Sequence, residues 1–304
     1  MTAEARFERL SATPMRSVTG QGARGGLHPV ARIREILQHR QLLWLLTRRD
    51  LQVRYRGSAL GFLWTLIKPL VMLATYYLVL GQILGAARGI EDFAIYVFSG
   101  LTIYALFSES VGAAAGSIVN NAGLVKKIYV PREVFPLASV GGALFLVGMQ
   151  FVVLVGAIVF SGAWPDFSGI GYLVPSILLI LIYALGFGLL LSVLNVYLRD
   201  VQYITEIVLT LLMWSAPIVY SWRRVSDVIG EFHLPTWILD VYTSNPITIA
   251  VLGFHRSLWG GGTAADYPGD LWERMLIAGL IGLVFLAFAQ WVFQRRQGNV
   301  AQEL

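Results

Sequence analysis

The chain has 304 residues, of which 56% are hydrophobic and 13% are charged, and its formal net charge is +5. Soluble domains carry about 25% charged residues, so this composition excludes an ordinary soluble fold, a disordered chain and a collagen. The absence of cysteine excludes a disulfide scaffold, thiolate metal sites and a cysteine nucleophile. The charges lie between long apolar stretches, which indicates a membrane protein rather than a nucleic-acid-binding one.

The amino-terminal region has two parts. Residues 1–30 contain no apolar core of the kind found in signal peptides, and we expect a disordered cytoplasmic tail. Residues 31–58 place apolar side chains at roughly helical spacing between many arginines, which predicts an amphipathic helix in the membrane interface. A calmodulin-like or nucleic-acid-binding surface is the alternative, and the direct run into an apolar stretch disfavours it.

Long uncharged windows follow, such as 69–87, 134–165 and 275–294. About 20 helical residues cross a hydrocarbon core about 30 Å thick. The sequence therefore predicts an all-α integral membrane fold with six transmembrane helices, followed by a cytoplasmic tail at 297–304. The expected spans are about 62–85, 95–119, 137–161, 171–195, 202–221 and 272–293.

The distribution of Lys and Arg predicts the orientation of these spans. Eighteen of the 23 basic residues fall on the side that would hold both termini, and five fall on the other side. Because basic residues favour the cytoplasmic side of a membrane, we expect both termini in the cytoplasm.

The outer region 222–270 is long for a structureless loop. Its uncharged part, 241–255, is short for a span, and a seventh span would place the carboxyl-terminal arginines outside. We expect two short helices near 226–240 and 246–258 that dip into the outer leaflet. Non-helical backbone at that depth persists only where protein or a wet cavity satisfies it, which suggests the mouth of a pathway. The alternative is an ordinary capping hairpin.

Nucleotide and metal chemistry have no sequence signature here. A P-loop needs a lysine directly after glycine, and none of the three lysines follows one. The four histidines are scattered and form no metal-binding pair. We therefore expect no cofactor and no metal in this chain. Acidic residues of the outer loops are the only candidates for an enzyme site, and their spacing singles out no pair.

Glu109 is the one acid deep within an expected span. A charge at mid-bilayer costs about 2.5–3.5 kcal/mol, so Glu109 must face the helix bundle or a wet cavity, or stay protonated. Two roles for Glu109 are open. One is to handle a proton or contact the substrate, and the other is structural, through hydrogen bonds.

Aromatic residues are plentiful near the ends of the expected spans. Most are expected to be interfacial anchors, and some are candidates to line a conduit, because aromatic faces stack on sugar rings. The candidate channel or gate residues are Trp64, Tyr76, Tyr104, Phe107, Glu109, Trp214, Tyr220, Asn245 and Pro246.

Two inner turns carry charges that cannot enter lipid. The first, 120–136, is bounded by prolines and is suited to docking a soluble partner. The second contains the adjacent Arg199 and Asp200. Simple loops are the alternative for both.

Four stretches in order resemble the permease (membrane) subunits of ABC-2-type polysaccharide and O-antigen exporters. They are 49–69, beginning Arg-Asp-Leu-Gln-Val-Arg-Tyr-Arg-Gly; 124–136, Leu-Val-Lys-Lys-Ile-Tyr-Val-Pro-Arg-Glu-Val-Phe-Pro; Tyr-Leu-Arg-Asp-Val at 197–201; and Ser-Asn-Pro at 244–246. The resemblance covers about 40–296 and is weakly specific for the substrate.

The resemblance implies a homodimer with six spans from each copy around a central channel. It also implies two separate ATPase subunits that hold ATP and Mg, and a polyprenyl-linked polysaccharide such as O-antigen or galactan as cargo. The setting would be the bacterial cytoplasmic membrane. Exporters of teichoic acid, capsule or a small lipid or drug are alternatives, and a membrane enzyme of glycan assembly is an alternative of another class.

The resemblance further implies roles for named residues. We call 120–136 the coupling segment, because it would sit in a groove of the ATPase. Residues assigned to ATPase coupling are Leu124, Lys126, Lys127, Ile128, Tyr129, Pro131, Arg132, Glu133, Arg199 and Asp200. Residues assigned to the lipid-phosphate entrance are Arg49, Arg54, Arg56 and Lys68. The short outer helices would form a gate.

Overall fold

The computed structural model describes residues 38–83, 85, 89–127, 130–233, 235–298 and 303–304. The expected tail 1–30 and the start of the expected helix 31–58 lie outside these residues, as do Ile128 and Tyr129. Within the described residues, every regular element is a helix. The all-helical prediction is therefore confirmed for this part of the chain.

The helices are numbered here in chain order. They are α1 (Arg40–Tyr55), a 3-10 turn (Gly61–Leu63), α2 (Trp64–Thr75), a π-helical stretch (Tyr76–Ile83), α3 (Phe93–Asn120), α4 (Ala122–Val125), α5 (Val134–Ser161), a 3-10 stretch (Phe167–Tyr172), α6 (Leu173–Tyr197), α7 (Asp200–Ser215), α8 (Trp222–Glu231), α9 (Trp237–Ser244), α10 (Pro246–Leu258), a 3-10 turn (Ala264–Asp266) and α11 (Leu271–Arg296).

Five of the helical stretches are long and apolar enough to cross a membrane. They are Gly61–Ile83, Phe93–Asn120, Val134–Ser161, Phe167–Tyr197 and Ala264–Arg296. Each contains most of one expected span, so the first, second, third, fourth and sixth expected spans correspond to observed helices. The chain is a multi-pass membrane protein.

The fifth expected span, 202–221, is shorter in the structure. Helix α7 ends at Ser215 and has 16 residues, a length of about 24 Å. Ala216 adopts an extended conformation because the ring of Pro217 excludes the helical conformation from the residue before it. The non-helical Ala216 and Ile218 are nevertheless buried. The hydroxyl of Tyr96 lies 3.0 Å from the carbonyl oxygen of Pro217 and 2.8 Å from that of Tyr220.

Helix α3 forms the centre of the bundle. It packs against α5, α6, α7 and α10, and most of its residues are buried. Small side chains permit this close approach: a Cβ atom added at Gly188 of α6 would lie 2.9 Å from the Cβ of Ala114. The α6–α11 contact uses Gly186 and Gly282 in the same way.

Among the described residues of 222–270, three short α-helices lie where two were expected. The expected helix 246–258 matches α10, whose start is set by Asn245 accepting a hydrogen bond from the Ile247 amide and by Pro246 in the first turn. The expected helix 226–240 is instead split into α8 and α9. Helix α10 is buried among α3, α6 and the 167–172 stretch.

A glycine substitution tests the packing of α10. A Cβ atom at Gly169 would lie 2.0 Å from the carbonyl oxygen of Arg256, whereas one at Gly171 would have no neighbour within 4 Å. We expect Gly169→Ala to destabilise the protein by about 1–3 kcal/mol and to lower its melting temperature in detergent. Gly171→Ala is the matched control and should melt close to wild type. Equal melting temperatures would contradict this packing.

Candidate functional site

A polar cavity of about 770 Å³ lies between α1, α3 and α7. Five of its lining residues are charged, and three more carry side-chain amides. These residues are Arg49, Asp50, Arg54, Glu109, Glu206, Asn120, Asn121 and Gln202. A charged residue within a membrane-spanning helix, such as Glu109 on α3, is rare and marks a pathway or a binding site.

Helical periodicity brings these side chains together. On α3, the lining residues Glu109, Gly112, Gly116 and Asn120 follow one another at intervals of three or four, so they share one face. Helix α7 contributes Gln202, Glu206 and Thr210 at intervals of four. The opposite face of α7 is apolar and exposed, and includes Ile204, Ile207, Leu211 and Trp214.

Helix α1 is held beside the cavity by packing and by one buried hydrogen bond. The side chains of Leu46 and Thr47 are buried, and the Thr47 hydroxyl donates to the Ala138 carbonyl oxygen at 3.1 Å. Trp44 and Leu45 remain exposed. Arg49 and Arg54 of α1 line the cavity, whereas Arg48 is exposed and lies outside the lining.

Ion pairs partly neutralise the arginines of the cavity. Arg54 Nη1 lies 3.5 Å from Glu109 Oε2, and Arg49 Nη2 lies 2.7 Å from Asp50 Oδ1. Arg49 Nη2 also donates to Asn121 Oδ1. Glu206 has no ion-pair partner among the described residues. The lining thus holds two arginines and three carboxyl groups, and two of the carboxyl groups lie against the arginines.

The expected entrance residues divide into two pairs. Arg49 and Arg54 line the cavity together with Glu109. Arg56 and Lys68 are exposed and are not part of the lining. The structure therefore brings together half of this expected set and adds Glu109, for which a wet cavity was one of three expected settings.

The aromatic channel candidates lie outside the cavity lining. Tyr104 and Phe107 are buried in the core, where the Tyr104 hydroxyl donates to the Leu209 carbonyl oxygen. Trp64 and Trp214 are exposed, and Tyr76 packs against the core. The Tyr220 hydroxyl donates to the Trp214 carbonyl oxygen at 2.9 Å, and Asn245 and Pro246 begin α10.

The coupling candidates have contrasting environments. Lys126, Lys127, Arg199 and Asp200 are exposed, whereas Leu124, Pro131 and Arg132 are half-buried. Glu133 is fully buried. Its Oε1 accepts a hydrogen bond from Gln290 Nε2 of α11 at 3.2 Å, so the end of the coupling segment is attached to the last span.

Among the charged and amide side chains of the lining, sequence reasoning missed five: Asp50, Asn120, Asn121, Gln202 and Glu206. The spacing of Gln202, Glu206 and Thr210 at intervals of four in an otherwise apolar stretch was a usable signal, because it places three polar groups on one helical face. Asp50 and Asn121 gave no comparable signal.

Comparisons with known proteins identify the family. Residues 41–259 match the ABC-2 type transporter family. The chain is 33% identical over 198 residues to the O-antigen export system permease protein RfbA of Myxococcus xanthus, covering 64% of this chain and 74% of that protein. It is 28% identical over 247 residues to the protein of the same name in Klebsiella pneumoniae, covering 80% and 89%.

A more distant relative is the polysialic acid transport protein KpsM of Escherichia coli, which is 24% identical over 181 residues and is matched over 69% of its length. The four stretches that carry the resemblance all begin and end within the matched region. The expectation of a transporter rather than an enzyme agrees with this match, and the chain belongs to the ABC-2 type transporter family.

Proposed function

We propose that this chain is the permease subunit of an ATP-driven exporter that moves a polyprenyl-linked polysaccharide across the bacterial cytoplasmic membrane. The family match and the names of the relatives support this function. The single structural observation that carries it is the polar cavity at the arginine-rich end of the bundle. O-antigen or a similar cell-surface glycan is the proposed cargo.

The cavity suits the head of a lipid-linked glycan. Amides, hydroxyls and carboxylates of the lining can hydrogen-bond sugar hydroxyls. Arg49 and Arg54 can bind the diphosphate, because guanidinium groups form paired hydrogen bonds with phosphate. The 3.5 Å separation between Arg54 and Glu109 is long for an ion pair, so a diphosphate can replace Glu109 at low cost.

A second copy of the chain would complete the conduit. Helix α7 contacts mainly α3 and α6, and its apolar face is exposed. In the proposed homodimer, the α7 helices and the first spans of the two copies form the seam through which the glycan passes. Both termini of each copy lie in the cytoplasm.

ATP hydrolysis belongs to a separate subunit in this proposal. The chain has no lysine after glycine and hence no P-loop. The exposed Lys126, Lys127, Arg199 and Asp200 offer charged groups for docking two ATPase subunits, which would hold ATP and Mg. Closure of these subunits would push on the coupling segment and open the seam.

The outer helices form the proposed gate. Arg274 of α11 holds α9 through Thr243, at 2.9 Å, and through Asp240, at 3.2 Å. Release of this attachment would let α9 move away from the last span. The exposed Trp237 and Val241 on α9 would then be available to the passing glycan or to the other copy.

Reconstitution tests the function. The chain, co-purified with its ATPase in proteoliposomes, should export polyprenyl-linked glycan in an ATP-dependent manner.

Arg54→Gln should lower export about tenfold, as expected for the loss of one charged hydrogen bond worth about 1.5–3 kcal/mol, while dimer assembly is unchanged. The entrance assignment also includes Arg56, and we expect a smaller loss for Arg56→Gln because Arg56 lies outside the lining. Normal export by Arg54→Gln would refute the anion role.

A further inference from the structure

The junction between α3 and the coupling segment is built around Asn121. Its backbone carbonyl oxygen accepts from the Leu124 and Val125 amides at 2.9 and 3.0 Å, which starts α4. Its side-chain Nδ2 donates to the Ser117 carbonyl oxygen at 2.7 Å. Asn121 therefore connects the last turn of α3, through its side chain, to the first turn of α4, through its backbone carbonyl.

The remaining polar atom of Asn121 faces the polar cavity. Asn121 Oδ1 accepts a hydrogen bond from Arg49 Nη2, and the same nitrogen lies 2.7 Å from Asp50 Oδ1. Arg49 is 42% exposed, so its guanidinium is accessible to a ligand in the cavity. An anion that binds Arg49 Nη2 must compete with Asn121 and Asp50 for this donor.

We propose that the Arg49–Asn121 hydrogen bond relays occupancy of the cavity to the ATPase. When a phosphate engages Arg49, Asn121 loses its contact with α1, and the junction that starts the coupling segment is no longer tied to that helix. ATP hydrolysis then accelerates only when an anionic cargo is present. This inference rests on the proposed function, and it makes Asn121 a positioning residue that acts through Arg49.

The coupling between anion binding and the state of the ATPase must be reciprocal. If anion binding favours one position of the coupling segment, then the ATPase state that favours the same position must tighten anion binding by the same factor. Coupling factors of this kind are typically about 5–150-fold. The proposal therefore predicts changes in two independent measurements, the rate of ATP hydrolysis and the affinity for the anion.

Asn120 provides a matched control. It is adjacent to Asn121 and lines the same cavity, but no hydrogen bond connects it to Arg49. Asn120→Ala is expected to shift the concentration of ligand that half-stimulates ATP hydrolysis while the maximal stimulation persists. Asn121→Ala removes the relay itself.

The experiment measures ATP hydrolysis by the full complex in proteoliposomes that contain polyprenyl diphosphate, without sugars or bearing the glycan. For Asn121→Ala we expect basal hydrolysis near the wild-type stimulated rate and a stimulated-to-basal ratio of about 1, below the usual range of coupling. Asn121→Asp adds a charge that strengthens the bond to Arg49, so stimulation should require more ligand. Stimulation by the diphosphate alone assigns the anion to the lipid, and stimulation only by the glycan-bearing form assigns it to the glycan.

Two further results would overturn the proposal. Wild-type basal rate and full stimulation in Asn121→Ala would refute the relay alone. A wild-type complex that responds to neither ligand would refute the proposed function together with it. If Asn121→Ala does not assemble, Asn121→Asp provides the test. The relay is also refuted if that variant needs the same ligand concentration as wild type to stimulate ATP hydrolysis.

Discussion

Export is expected to fall at least about tenfold when Gly112 is replaced by phenylalanine, a loss equivalent to about 1.4 kcal/mol in the barrier to transport. Gly112 lines the polar cavity on α3. The nearest atom to an added Cβ there is Leu209 Cδ1, at 3.8 Å, so the new side chain enters without a backbone clash. Its ring would then occupy space that the glycan needs. Transport of labelled lipid-linked glycan into proteoliposomes measures the effect.

The same substitution elsewhere separates blockage from a general effect of phenylalanine. Gly148 on α5 is exposed, and nothing lies within 4 Å of a Cβ added there. Gly148→Phe should therefore export at close to the wild-type rate. Wild-type export by a well-folded Gly112→Phe protein would show that the glycan does not use this cavity.

The second large effect is expected at the buried contact between the coupling segment and the last span. Gln290→Leu removes the hydrogen bond that Gln290 donates to Glu133, whose side chain is fully buried. Removal of a hydrogen-bond partner from a buried polar group costs about 1–3 kcal/mol. We expect a lower melting temperature in detergent and weaker export, because motion of the coupling segment would no longer reach α11 through this contact.

Gln294→Leu is the control for Gln290→Leu. It makes the same change one turn further along α11, where no hydrogen bond to Glu133 is formed. If both single variants melt at the same temperature, the Glu133–Gln290 contact does not stabilise the fold.

The positions of the membrane-spanning helices were predictable where the distribution of charged residues alone determines them. Uncharged windows located five of them because ionised side chains are costly in lipid. The window 207–222 was misleading, since Pro217 interrupts the helix without adding a charge. The outer helix expected at 226–240 is split because His233 adopts a positive φ of 51° and Pro235 follows two residues later. The Asn245–Pro246 pair, by contrast, marked the start of α10 correctly.

The sequence indicated individual residues of the candidate site but not which of them lie together in the structure. Arg54 and Glu109 each stood out as charges at or within a span, but their pairing joins positions that are 55 residues apart and depends on how α1 packs. Tyr104 and Phe107 show the opposite problem. Helix α3 is apolar on nearly every face, so periodicity cannot distinguish a core-facing aromatic from one that lines a channel.

The shortness of α7 has a consequence for the surrounding lipid. At about 24 Å, it is roughly 6 Å shorter than a typical hydrocarbon core of about 30 Å, while its neighbours are full-length spans. Hydrophobic mismatch of this kind is relieved by thinning the adjacent bilayer. If α7 crosses the membrane at the proposed seam, lipid that reaches the seam must thin beside it, and transporter activity should be greater in bilayers of shorter-chain phospholipids.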